Sequence, residues 1–230
     1  KLAAIFLKKN ESRRIRNGHQ WVFSNEIAKT EGSPESGVLA ELYDQKEYLG
    51  TGFYNKNSLI SLRLLNNTYD GDLGIYIKDS ILKANELRKT FYPNRDSYRM
   101  VFSESDFLPG LIIDKYNNTF VMQVYCYGMN ENIQQVVDVL KNDLSAETIF
   151  TRNDPYFRKL EGLPEDDTVY LGEAAPETID DGSLKYKIDF ASSQKTGFYF
   201  DQCDNREFIE KITADKTVLD AFCNSGGFGM

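Results

Sequence analysis

The sequence predicts a three-part chain: a small β-rich barrel, an α+β unit, and the opening of an α/β unit built around a nucleotide-type ligand site. Three observations carry this. Short apolar runs punctuated by glycine crowd residues 1–68, two runs of helical periodicity alternate with strands over 69–182, and the stretch from Gln194 to Gly227 combines a polar, aromatic segment with a glycine-rich turn. At 230 residues, with 41% hydrophobic and 27% charged side chains, the chain is long enough for more than one core.

In the first part, Val38–Tyr43 and Tyr48–Tyr54 read as strands around the polar turn 44–47, and Ile60–Leu65 as a third; short strands at this spacing suggest a small barrel. The turn-rich run 66–72 is the best linker. Asp72 then caps a helix that places Ile77, Ile81, Ala84 and Leu87 on one face. Tyr98–Phe102, Leu111–Tyr116 and Thr119–Tyr125 follow as strands, the last two joined by Asn117-Asn118, a hairpin signal. A second helix turns Ile133, Val136, Val137, Leu140 and Leu144 inward, and Thr148–Arg152 is a further strand. This order makes a compact α+β unit rather than a doubly wound sheet. Leu184–Phe190 alternates as a strand; beyond it the pattern predicts a helix, then a buried strand at Thr217–Phe222 running into Cys223-Asn224-Ser225-Gly226-Gly227.

Charge and cysteine content narrow the function classes. The net charge of −8 argues against indiscriminate nucleic-acid binding, but residues 1–20 hold six basic side chains against one acidic, a local +5. Such an edge on an acidic body can orient a structured RNA, and Arg13, Arg14, Arg16, His19 and Trp21 are its candidate contacts. No apolar run approaches a membrane span, and no partner in a membrane is expected. Cys126, Cys203 and Cys223 have neither metal-ligand spacing nor an even count, so no metal site or disulfide framework is expected and a reducing cytoplasm is the simplest location. Cys126 reads as core packing within an apolar strand and Cys203 as exposed or half-buried. One histidine, His19, excludes a multi-histidine centre.

The ligand site is read from two segments. After a strand, glycines let the backbone approach a ligand over the following helix N-terminus, and Asp220, Phe222, Asn224, Gly226 and Gly227 fill those positions. A GxGxxG turn is absent, which weakens a nicotinamide or flavin reading. Upstream, Lys195, Thr196, Gly197, Phe198, Asp201 and Gln202 crowd donors, acceptors and rings around one glycine, a composition suited to a sulfonium ligand such as S-adenosylmethionine. Asp201 could hold ligand or pair with Arg206, and Arg158 and Glu161 read as an internal ion pair that orders a loop.

The pattern QKTGF-x-x-DQ-x-x-NR, followed by a strand and a Gly-Gly-Phe turn, resembles the PUA-domain-containing class I methyltransferases of the RlmI type. The resemblance extends to 16–27, 52–55 and 60–65, where it implies a PUA-like barrel over 1–68. It continues in 105–116 and 152–163, which imply a central α+β domain over 69–182, and leaves 183–230 as the N-terminal part of a Rossmann-like methyltransferase domain. It implies an S-adenosylmethionine-dependent enzyme that methylates carbon 5 of a cytosine in large-subunit ribosomal RNA, through a thiolate that adds to carbon 6. It further implies that the chain is cut short in the catalytic domain, that the nucleophilic cysteine lies beyond Met230, and that this stretch alone is inactive. Cys203 stands where members commonly carry arginine. Members often pair, so the resemblance allows a homodimer. A non-catalytic RNA-binding adaptor built from the first two parts is the alternative.

Overall fold

The structure, a computed structural model, describes residues 2–66, 68–181, 184–223 and 226–229. Its first part comprises β1 (Ala3–Leu7), α1 (Arg13–Arg16), β2 (Trp21–Phe23), β3 (Ile27–Glu31), β4 (Leu39–Asp44), β5 (Glu47–Tyr54) and β6 (Ile60–Leu64). The six strands form one sheet in the order β2-β6-β5-β4-β1-β3, antiparallel throughout except for the parallel pair β1 and β4. One face of these strands closes over Ile5, Leu7, Ile15, Val22, Ala40, Leu42, Leu62 and Leu64. Gly52 is required by the closeness of β6: a Cβ there would lie 2.3 Å from the carbonyl oxygen of Arg63. The three strands expected from the sequence are all present. β1, β2 and β3 were not expected: β2 has three residues, β1 (Ala-Ala-Ile-Phe-Leu) is apolar without alternation, and β3 is largely polar and exposed.

The central part contains α2 (Leu73–Phe91), β7 (Ser97–Phe102), β8 (Leu111–Tyr116), β9 (Thr119–Val124), α3 (Tyr127–Glu131), α4 (Ile133–Asp143), β10 (Thr148–Thr151), α5 (Pro155–Glu161) and β11 (Val169–Leu171). Asp72 caps α2 as expected, its Oδ1 accepting the Ile75 N–H at 3.0 Å. The sheet order is β11-β10-β9-β8-β7, a meander of β7, β8 and β9 joined in parallel to β10 through α3 and α4. Both faces of this sheet are covered. Leu111, Ile113, Phe120, Met122, Val124 and Ile149 pack with Ile77 and Ile81 of α2 and Val136 and Leu140 of α4. Tyr116, Val121 and Phe150 point the other way, against Ile179, Tyr186, Ile188, Phe190 and Phe198. That second layer is the hairpin of β12 (Glu177–Asp180) and β13 (Lys185–Ile188), with α6 (Cys203–Thr213) beyond it.

Four sequence expectations are corrected. Leu87 is exposed, because only the stripe Ile77, Ile81 and Ala84 of α2 meets the sheet. Cys126 is buried but stands at the N-terminus of α3 rather than in a strand. Cys203 is buried at the start of α6. Residues 217–222 form no strand: Leu219 and Phe222 are exposed, and among the described residues no neighbouring strand takes up their backbone hydrogen-bonding groups. A parallel strand exists only within a sheet, so apolar composition alone does not produce one here.

Candidate functional site

The segment carrying the sequence motif is fastened to the back of the central sheet. Thr196 is fully buried, and its hydroxyl donates to Oδ2 of Asp114 on β8. Asp114, equally buried, also takes a two-pronged bond from Arg99 of β7, Nε to Oδ1 at 2.9 Å and Nη2 to Oδ2 at 3.0 Å. The Phe198 N–H donates to the Tyr116 hydroxyl at 2.9 Å, and burial holds that phenol above its ordinary range. Gly197 sits at φ +137°, and a Cβ on it would come within 2.9 Å of the same oxygen. Thr196 and Gly197 thus serve the docking of this segment, and their tight spacing follows from the approach of backbone to Tyr116.

Immediately past this clamp opens a cavity of about 750 Å³. It joins the two halves of the site read from sequence: Phe198 and Gln202 on one side, Asp220, Phe222 and Gly227 on the other. Lys195, Thr196, Gly197, Asp201 and Gly226 do not line it. Lys195 lies over the Tyr199 ring at 5.2 Å, and Asp201 lines a separate cleft with Arg95 and Arg99. Asn224 lies outside the described residues. Gln194, Tyr199, Arg206, Cys223 and Phe228 also line the cavity and were not singled out; Gln194 and Arg206 bound the motif, which is the signal that could have found them.

Arg206 organises the wall. It donates from Nη2 to Asp181 at 2.9 Å and to the Cys203 sulfur at 3.0 Å, and its guanidinium lies 4.9 Å from the Phe198 ring centre and 5.5 Å from that of Tyr186. Of the two pairings open for Asp201 in the sequence, the one with Arg206 is not formed; Asp181 takes that place. Burial raises the Cys203 thiol above its usual range, so it is a packing group. Asp220 contributes Oδ2, a buried oxygen with no hydrogen-bond partner among the described residues. A buried carboxylate oxygen beside a cavity, with aromatic faces around it, fits the ammonium end of an amino-acid-bearing sulfonium compound. The residues present therefore suit S-adenosylmethionine.

The candidate RNA contacts gather around α1. Arg13 is exposed, and no ion pair of it occurs among the described residues. Arg14 pairs with Glu26, and Arg16 with Glu47 at 2.6 Å and Asp44 at 3.2 Å. His19 Nδ1 accepts the Trp21 N–H at 3.1 Å, while the Trp21 indole donates to Glu104 at 2.6 Å. Part of the local positive charge is thus neutralised within the fold. Arg158 and Glu161 are both buried but unpaired with each other: Arg158 holds the Pro164 and Val124 carbonyls, and Glu161 holds Arg63.

Residues 5–67, which span the sheet of six strands, match the family model described as a PUA-like domain. Over nearly its whole length the chain is similar in sequence to proteins named ribosomal RNA large subunit methyltransferase I. It is 36% identical to that of Photobacterium profundum and 31% identical to that of Tolumonas auensis, covering 99% and 98% of this chain and 59% of each relative. The chain therefore spans about three fifths of the length of the curated relatives it matches. A candidate SAM-dependent methyltransferase from Streptococcus mutans shares the fold, with a TM-score of 0.78 at 18% identity over 98% of this chain and 59% of its own. Another methyltransferase candidate, solved with SAH, gives 0.80 at 18% identity over 98% and 58%.

Proposed function

We propose that the chain serves an S-adenosylmethionine-dependent methyltransferase acting on large-subunit ribosomal RNA, with carbon 5 of a cytosine as the methyl acceptor. The observation that carries this reading is the cavity between the clamped motif and Asp220, where a buried carboxylate oxygen has no hydrogen-bond partner among the described residues. Bound there, S-adenosylmethionine supplies an electrophilic methyl group on a sulfonium. Asp220 would hold its ammonium, Arg206 would suit its carboxylate, and Phe198 and Tyr199 would wall off water from its methionine half. The name shared by the curated relatives and the SAH in the solved neighbour support the same choice of cofactor and RNA.

In this reading the PUA-like barrel of residues 1–68, with its basic edge, grips the RNA, 69–182 form the central domain, and 183–230 open the donor site. Arg13, Arg14, Arg16, His19 and Trp21 would meet RNA backbone at the barrel edge. The protein would work in the cytoplasm, where ribosomal RNA is assembled, and sedimentation would test pairing into a homodimer. Among the described residues no helix is long and apolar enough to cross a membrane. The deciding experiment is transfer of labelled methyl from S-adenosylmethionine to undermodified large-subunit RNA by the full-length protein. Incorporation at a cytosine is expected, with Asp220→Asn weakening SAH binding in calorimetry about tenfold; no incorporation would overturn the reading.

A further inference from the structure

A second cavity, of about 470 Å³, lies where the PUA-like sheet meets the central part and shares no residue with the cavity at Asp220. Its walls come from two parts of the chain: Trp21, Phe23 and Leu59 from the PUA-like sheet and its loops, Tyr125, Phe157 and Leu160 from the central part. Several of these apolar groups are turned to solvent, with Leu59 76%, Leu160 53% and Phe157 49% exposed. The floor is polar and buried. Arg63, only 8% exposed, is held between Glu104 and Glu161, and its guanidinium lies 5.3 Å from the Trp21 ring centre.

Resting on the RNA reading above, we propose that this cleft receives one unstacked nucleobase of the RNA. The chemistry of walls and floor selects that occupant. One cation between two carboxylates leaves the floor net negative, which disfavours a phosphate. A lipid tail or a leucine side chain would seal the floor without offering a hydrogen bond, and Nε of Arg63 already lacks an acceptor among the described residues. A flat, uncharged ring with both acceptors and donors on its edge suits aromatic walls and a mixed floor together. The volume fits a base with its ribose. Arg14, paired with Glu26, lies over the Phe23 ring at 5.2 Å, and Arg13, exposed on the same helix and without an ion pair among the described residues, is the cation left for a flanking phosphate.

Trp21 is the only tryptophan of the chain, so its fluorescence reports on this cleft alone. The probe is a mixed-sequence single-stranded RNA of about twelve nucleotides, compared with an abasic strand of equal length and charge. The RNA is expected to quench Trp21 saturably and the abasic strand to leave it unchanged. Phe157→Ala, at an exposed position, should weaken RNA binding about tenfold and abasic binding not at all. Leu59→Ser, on the opposite wall, gives a second reading should Phe157→Ala disturb folding. RNA binding without quenching, and with unchanged affinity in both variants, would overturn the inference while leaving the methyltransferase reading in place. Absence of any RNA binding would overturn both. Quenching by a leucine-rich peptide but not by RNA would assign the cleft to a protein partner and overturn it as well.

Discussion

Arg63 on β6 reaches Oε1 of Glu161 at the end of α5, Nη2 to oxygen at 2.8 Å, with both side chains buried. Glu161 also accepts from Ser58 at 2.9 Å and from Asn55 at 3.0 Å, so every bond it makes through its side chain crosses from the central part to the PUA-like sheet. Removing one partner of such a pair strands the other in a poorly solvated place. Glu161→Ala is expected to cost about 3–5 kcal/mol, whereas Glu161→Gln, which keeps an acceptor for Ser58 or Asn55, should cost less. Urea unfolding followed by Trp21 emission measures both.

Glu104 makes the junction sensitive to acid. Burial opposes its charge, yet hydrogen bonds from Ser103 and Trp21 and the nearby Arg63 hold its carboxyl below the ordinary 4.5. A carboxylate whose folded value is depressed contributes stability that is complete above its unfolded value and lost as pH falls through the folded one. Stability should therefore decline below about pH 4.5 and continue to fall as Glu104 takes up its proton. Glu104→Gln should flatten that part of the profile; a thermal-melting series in acid buffers would show it.

Thr196→Val keeps the volume of the buried side chain but removes the donor to Asp114. Arg99 then remains the side-chain partner of a carboxylate with no exposure. A loss of about 1–3 kcal/mol is expected. If the neighbouring cavity binds the methyl donor as proposed, the same substitution should weaken SAH binding in calorimetry, and Thr196→Ser should restore it.

The three arginines of α1 should behave differently toward RNA. Arg13→Ala is expected to lower the salt slope of RNA binding by about one. Arg16→Ala should change it less, since Asp44 and Glu47 already neutralise Arg16. Filter binding across a salt series separates the two.

Long periodic elements were legible in the sequence because their own side chains encode them: the inward stripe of α4 and the paired apolar runs around Asn117-Asn118 need no knowledge of the partner. The strand expected at 217–222 was not, because strand formation there depends on a neighbour rather than on composition. The site was legible in outline. Phe198, Gln202, Asp220, Phe222 and Gly227 do share one cavity, but the motif gave no way to separate the residues facing it from Thr196 and Gly197, which face Asp114 and Tyr116. Ion pairs spanning 98 residues, such as Arg63 with Glu161, leave no local trace; proximity in sequence suggested Arg158 instead.

β8 serves two layers with alternate residues. Leu111 and Ile113 belong to the helical side, Asp114 and Tyr116 to the side that carries the segment of Thr196 and Phe198. A strand has only these two faces, so inserting a single residue after Ile113 would turn Asp114 and Tyr116 toward the helices and unseat Thr196 and Phe198 at the same stroke. Length change in this protein is therefore a privilege of its connections, such as 66–72. Within β8, the spacing of residues shapes the cavity at Asp220 as much as the residues that line it.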